Sequence, residues 1–496
     1  MPKLSQNNSY MTREKIIREK NQLIEQIKTY SPLFSPFFDL DASLFDYSKS
    51  IYDYKNNEVY IQRQELLKKC LLQKLKQLYP REFKRIDLEF DDQMACNIVD
   101  HHQVLNHPLL ISSNVVANAE KILNKKKSGP IIVFSSGDVP PNNYFSKNGF
   151  TFHDKKVPIF TNKEKECNSN LLPVRDFDFI GNLELAKRLS EFNPAETDWL
   201  ESEQQWIKSL DFSGCRNYND QISLIVRKQW PRLFEAKLRP NLPELLYITQ
   251  EDITTQCLLE LVSEDNLVTH SLFDQKFRTK ILEAFRGIVV TWAEDEAKGT
   301  HFFWRKYPGQ SRSLRMYLKG NVLTPHDERF SDLAFELDRD TVVHLLKTGE
   351  IYPSLFVIFL VLNFHFGVKP LVGQGSITYL NLIRGRWIEI LKDSDYESEI
   401  AHINSYEIDK LITGLIIFFH RQEKSLKTLW AYDIFFKQGL PEEYYRHLYS
   451  MPFKDVLSTS LTGIYDYIGS KYVPKDKRLS PTVKADDLAE LVFNWI

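Results

Sequence analysis

Met94-Ala95-Cys96-Asn97-Ile98-Val99, Asp100-His101-His102-Gln103-Val104-Leu105-Asn106-His107-Pro108 and Ile131-Ile132-Val133-Phe134-Ser135-Ser136-Gly137-Asp138 are the segments that decide the fold. The first and the start of the third are short apolar runs bounded by turn formers, the pattern of a buried parallel strand. Between them, Leu109 to about Asn124 is rich in small and apolar residues and reads as a helix, and Lys125 to Pro130 reads as a turn. Strand, polar loop, helix, turn and strand make a βαβ unit, with a right-handed crossover. In an open α/β sheet, ligands bind beyond the carboxyl ends of the strands. The loop 100–108 and Ser135–Asp138 both leave such ends, so they are expected to face one crevice.

Around this unit the pattern is mainly helical. Residues 11–30 and 58–79 read as helices. In the second, Leu67, Leu71, Leu75 and Leu78 form a stripe, and Lys68, Lys69, Lys74 and Lys76 lie on a face expected to be solvated. Phe150 to Phe160 reads as a hairpin turning at His153-Asp154-Lys155-Lys156. Gly287 to Trp292 reads as a core strand, and Thr300–Trp304 with Ser313–Leu318 as paired strands. The run Leu355–Leu362 is too short to span a bilayer, which takes about 20 apolar residues. It reads as a buried helix or strand, and Glu407–His420 reads as helix. The expected fold is α/β: a Rossmann-like parallel-sheet core with large helical N- and C-terminal additions. Its parts are a helical segment 1–90, the βαβ start 91–165, a mainly helical insertion 166–285, strands 286–335 completing the core, and a helical region 336–496.

Composition narrows the function classes. The 496 residues carry 64 Lys and Arg against 66 Asp and Glu, a net charge of −2. A nucleic-acid binder would show a basic excess, so no nucleic acid is expected. No membrane segment is expected either. The five cysteines are odd in number and form no CxxC pair, which argues against a disulfide framework or zinc ribbon and for a cytoplasmic protein. Glycine numbers only 18, and none precedes Gly129, so no glycine-rich phosphate loop lies in the first quarter of the chain. No GxSxG, HExxH or Walker A sequence occurs.

The densest polar cluster is the loop Asp100–Pro108, with three of the twelve histidines in seven positions. Two chemistries compete there. The loop opens a helix, whose free N–H groups and dipole attract an anion, to which His101, His102 and His107 would add donors. Alternatively, Asp100, His102 and His107 with Asp138 or His153 would hold a divalent metal. Capping and backbone hydrogen bonding is the purely structural alternative. The Asp-His-His triplet also occurs in a phosphoesterase family named for it, but that family's upstream His-x-Asp-x-Asp element is absent from residues 1–99. Further along, Arg305, Arg312 and Arg315 present forks suited to carboxylate or phosphate. Gly373-Gln374-Gly375 is a partial dinucleotide fingerprint, or simply a helix-entry turn.

Gln103, Leu105, Pro108 and Leu109, followed by Pro130-Ile131-Ile132-Val133-Phe134, resemble the Rossmann-like core of the bacillithiol cysteine-adding enzyme (cysteine ligase) family. The resemblance covers about residues 100–138. The family's loop glycines are replaced by Asp100, His101 and His107, and its acidic-histidine segment by Ser135–Asp138. The resemblance implies a ligase- or transferase-like nucleotide fold.

The sequence therefore predicts a small-molecule enzyme binding an anionic or nucleotide-like ligand at loop 100–108. His102, His107 and Asp138 are the expected catalytic residues. Asp100, His101, Gln103, Asn106, Ser135, Ser136, Gly137, His153, Arg305 and Arg315 are the expected ligand contacts, and a nucleotide or a divalent metal is the candidate cofactor. A metal-dependent hydrolase at the same cluster and a non-enzymatic interaction protein with a helical docking surface are the alternatives.

Overall fold

The computed structural model describes residues 11–53, 57–80, 95–98, 100–123, 129–307, 309–392, 394–405 and 412–496. Fourteen strands are named within them: β1 (Ala95–Asn97), β2 (Ile131–Ser135), β3 (Gly149–Phe152), β4 (Lys155–Pro158), β5 (Leu245–Thr249), β6 (Phe303–Lys306), β7 (Ser313–Leu314), β8 (Met316–Lys319), β9 (Val322–Pro325), β10 (Phe335–Glu336), β11 (Ile351–Pro353), β12 (Lys369–Leu371), β13 (Phe419–Gln422) and β14 (Ser425–Thr428).

Four of them form a parallel sheet in the order β12-β1-β2-β5. The expected first two strands are its centre. Met94 and Val99, the outer residues of the first run, lie outside the described residues. β2 has a neighbour on each side and is apolar from Ile131 to Phe134, as suits a strand covered on both faces. β5 lies at the sheet's other edge, yet every one of its residues is buried. β12 carries Pro370, which donates no N–H, and it lies at the sheet's edge.

Several assignments are corrected here. β5 lies in the segment 166–285 read as a helical insertion, and β12 in the region 336–496 read as helical. The strands of 286–335 do not complete the parallel sheet. They form two separate antiparallel sheets, β11-β6-β7 and β10-β9-β8. Gly287–Trp292 is no strand: Gly287 and Val290 both have positive φ, and the chain turns tightly there. The described part of 407–420 is not helical either, and Phe419 and His420 begin the β13-β14 hairpin.

The hairpin at 150–160 is present as β3-β4. His153 and Asp154 both have positive φ, the primed two-residue turn that matches strand twist. The βαβ helix is realised as Pro108–Ala117 and Ala119–Leu123, with proline at its first position and His107 as N-cap. The run Leu355–Leu362 is buried helix, passing from α into a π-helix, Phe359–His365. Among the described residues, no helix is long and apolar enough to cross a membrane.

The helix Glu58–Leu78 buries its leucine stripe, as its spacing predicts. Lys74 departs from the solvated face expected of it. It is 7% exposed and pairs with Asp252 at 2.5 Å, fastening this helix to the start of the helix Gln250–Leu261. A single apolar core runs from Ile16 to Phe493. Ile248 is completely buried in β5 beside Phe134. Ile248→Ala is expected to lower the unfolding free energy by about 2–5 kcal/mol in urea titration. Leu183→Ala, at a side chain 79% exposed, should change it by less than about 0.5 kcal/mol.

Candidate functional site

All four parallel strands end on the same side, and the loops that leave them carry most of the expected site residues. β1 runs into loop 100–107. β2 runs into Ser136-Gly137-Asp138, β5 into the helix Gln250–Leu261, and β12 through Val372-Gly373 into the helix Gln374–Leu391. The two loops read as partners do meet. Ser136 donates to the Asp100 carbonyl at 2.9 Å, and His102 N–H donates to the Ser136 carbonyl at 2.8 Å. Helix-entry turn is the role Gly373 plays, as the N-cap position.

The loop histidines are inside rather than facing a ligand. His102 is 1% exposed. Its Nε2 lies 2.8 Å from the Asn219 carbonyl, and its Nδ1 lies 2.7 Å from Ser135 Oγ. A carbonyl only accepts, so the ring is assigned as the Nε2–H tautomer and Ser135 donates to Nδ1. Ser135 has no exposed surface, so this serine–histidine pair joins β2 to the helix Tyr218–Gln229 instead of presenting a nucleophile. His101 meets Asn143 at 3.0 Å and Phe145 edge-on. His107 Nδ1 accepts from Leu109 N–H at 3.2 Å, with its ring against Phe145 and Trp430. Burial pushes His101 and His102 down to about 4 and His107 to about 3, the last helped by Lys147 and His101. They are neutral at physiological pH, so they bring no positive charge to an anion.

The other loop residues are similarly committed. Asp100 Oδ2 accepts from the Tyr247 hydroxyl and from Asn114 at 3.1 Å, and burial raises its carboxyl to about 6. Asn106 binds the Phe145 carbonyl and Thr151 N–H, stitching the loop to β3. Gln103 lines a half-open space of about 20 Å³ with Asp100, His101 and Tyr247, room for one water-sized molecule and not for a nucleotide, and Gln103 Nε2 and Asp100 Oδ1 are buried without partners. The crevice between β1 and β12 is covered by the chain itself: Ile412 bridges to Val372, and Leu415 N–H binds Ser112. His153 lies apart from the loop, 2.7 Å from Glu196. Arg305 pairs with Glu350 at 2.6 Å, over Phe335, and Arg315 is exposed. Among the described residues, no group of three or more His, Cys, Asp or Glu could hold a metal ion.

The polar groups left uncommitted lie one strand further along, at the ends of β2 and β5. Gly137 N–H donates to Glu251 Oε2 at 2.9 Å, Asn219 Nδ2 donates to the Gly137 carbonyl at 3.1 Å, and Gln250 Nε2 donates to Ser136 Oγ. A Cβ on Gly137 would lie 2.7 Å from Asn219 Nδ2 and 2.9 Å from Glu251 Oε2, so only glycine fits. The Asp138 carboxyl lies close to that of Glu251, whose Oε2 is held by Gly137 N–H. Burial raises Asp138 to about 6. Burial and the Asp138 charge raise Glu251 well above its ordinary range. Glu251 Oε1 is buried and receives no N–H or hydroxyl donor. That is the environment of a carboxyl that keeps its proton. The amide oxygens of Asn219 and Gln250 are likewise buried without donors.

Tyr352 completes this group from β11. Its hydroxyl donates to Ser313 at 2.8 Å, and burial and the Asp138 charge hold it well above its ordinary range. Of the expected residues, then, Ser136, Gly137 and Asp138 belong to the uncommitted cluster, while His102 supports it from behind. Sequence reasoning missed Asn219, Gln250, Glu251 and Tyr352. A signal for Glu251 existed: Leu245-Leu246-Tyr247-Ile248-Thr249 is a strand-like run, and Thr249 followed by Asp252 is a helix-start pattern.

The histidine burial has a measurable consequence. An unfolded histidine takes up its proton near pH 6.5 and folded His102 near 4, so its stabilisation is complete above pH 6.5 and lost as pH falls toward 4. The loss is about 1.4 kcal/mol per pH unit. Asp100 and Asp138, raised to about 6, act in the opposite sense, so the difference between variants is the clean measure. Denaturation between pH 4.5 and 6.5 should show wild type losing about that much more per unit than His102→Gln. A pH-independent difference would mean that His102 titrates normally.

No family model, curated protein or solved structure matches this chain.

Proposed function

We propose that the protein is an enzyme acting on a small molecule by general acid–base chemistry, with Asp138 and Glu251 as its proton-sharing pair. The observation that carries this reading is their close approach at the ends of two parallel strands, with Glu251 Oε1 lacking any donor. Two like charges this close cannot both form in a dry site, so at neutral pH one carboxyl is an acid while the other is a base. Such a pair can accept a proton from a nucleophile and return one to a leaving group. The ligase or transferase chemistry implied by the resemblance needs both steps.

The proposed centre is shifted from the loop 100–108, whose histidines and Asn106 are engaged by the protein itself and whose space is small, to the neighbouring strand ends. His102 and Ser135 act here as positioning residues. His102 holds Asn219 and Ser135, and Asn219 holds the Gly137 carbonyl next to Asp138. We also read the sheet as a Rossmann-like core. In chain order its strands run third, second, first, fourth across the sheet, which is the start of the doubly wound order, and this supports the reading.

Carbon-13 NMR of Asp138 is expected to show titration near pH 6, and Glu251→Leu should raise that value, because the neutral Glu251 carboxyl that stabilises ionised Asp138 is removed. Asp138 titrating near 4 in the wild type would refute the pair. For the activity, the protein should deplete at least one component of a mixed small-molecule extract, followed by mass spectrometry. Asp138→Asn and Glu251→Gln should each slow that depletion by about 100-fold or more. The rate should rise with pH through about 6, as Asp138 ionises.

A further inference from the structure

The half-open space at the end of β1 carries groups that the acid pair does not use. Asp100, Gln103, His107 and Phe145 are among the residues that line it. Asp100 is 1% exposed and Gln103 6%, and neither Asp100 Oδ1 nor Gln103 Nε2 has a hydrogen-bond partner. The other carboxylate oxygen of Asp100 is already held by Tyr247 and Asn114. One unmatched atom is an acceptor and the other a donor. A cation meets only the first and a carboxylate only the second. A hydroxyl group donates one hydrogen bond and accepts another, and about 20 Å³ is room for it.

The mouth of this space is aromatic. The His107 ring stands edge-on to Phe145 at 5.0 Å and to Trp430 at 4.9 Å between centroids. Tyr144 continues the cluster outward, 6.0 Å from His107 and 5.2 Å from Phe145, and its side chain is 74% exposed. The loop that displays it is tied down. Asn143 Nδ2 donates to the Pro140 carbonyl and to Ser146, and Asn143 Oδ1 accepts from Phe145 and Ser146 N–H. Lys147 Nζ lies 5.9 Å from the Tyr144 centroid and 5.3 Å from that of Trp430, so an ammonium donor stands at the same rim. A fixed, exposed tyrosine beside a half-buried tryptophan is a surface on which an apolar ring face stacks.

We infer that this space and its aromatic mouth bind a sugar or cyclic polyol. One hydroxyl enters the space, donating to Asp100 Oδ1 and accepting from Gln103 Nε2. The C–H face of the ring lies on Tyr144, and Lys147 donates to an outer hydroxyl. A small polar tip behind a larger stacked body also reconciles the narrow space with the broad aromatic rim. The inference does not depend on the acid–base reading of Asp138 and Glu251, and either can fail without the other.

The test is isothermal titration of the full-length protein with methyl glucoside, methyl galactoside, methyl mannoside and myo-inositol, with glycerol and methylammonium chloride as controls. Saturable binding of at least one ring compound is expected, with glycerol weaker by about tenfold because it has hydroxyls but no ring face. Gln103→Leu should weaken that binding by about tenfold and leave the melting temperature equal or higher, since Nε2 has no protein partner to lose. A purely structural Gln103 would instead lower the melting temperature. Tyr144→Ala, at an exposed position, should fold as the wild type and weaken the ring compound by about tenfold, while Tyr144→Phe keeps it within about twofold. No saturable binding of any ring compound, or binding that either Gln103→Leu or Tyr144→Ala leaves unchanged, overturns the inference. Methylammonium binding more tightly than every ring compound would also overturn it, by showing a cation site at Asp100.

Discussion

Polar groups at the ends of β1, β2 and β5 must find their partners within the protein, because the sheet's neighbours close over them. Much of the local structure follows from this constraint. Histidines that would carry charge in water are held neutral between carbonyls and hydroxyls. Asp100 is enclosed by Tyr247 and Asn114, and Asn106 spends both ends of its amide on backbone. An unmade hydrogen bond in such a place costs about 1–3 kcal/mol, so saturation is the rule and each exception carries information.

Such exceptions occur at several places in the molecule, among them Asp100 Oδ1 and Gln103 Nε2 in the loop 100–108. One group lies around Ser136-Gly137-Asp138, where Asn219, Gln250 and Glu251 keep buried oxygens without donors. The same burial raises the Asp138 and Glu251 carboxyls above their ordinary range. Gly137 is what lets the two carboxyl-bearing segments approach, because no side chain fits in the contact. Tyr352 arrives from an unrelated sheet, so the cluster is completed by segments about 200 residues apart in sequence.

What the sequence revealed depended on how local the signal was. β2 was legible because Ile131 to Phe134 form an unbroken apolar run between turn formers, and the β3-β4 hairpin because its turn residues tolerate positive φ. β5 was hidden because its five residues sit between two strongly helical stretches. β12 was hidden by its three-residue length and by Pro370. The loop 100–108 was correctly located at a strand end, but spacing alone cannot tell whether a histidine ring points outward or into a wall. Asp138 was found because it follows β2 directly. Glu251 was not, because its proximity to Asp138 is set by sheet order, which no local pattern encodes. Lys74 shows the same limit, since a face of lysines does not reveal which one meets an aspartate from a distant helix.

Pro370 has a consequence beyond ending a strand. A sheet edge with free N–H groups invites pairing by a strand from another molecule, the usual route to edge-to-edge aggregation. β12 offers one fewer donor there, and just past it Val372 is already bridged to Ile412 of the same chain. The parallel sheet is thus sealed laterally on its β12 side. On that side the sheet offers a poor template for self-association.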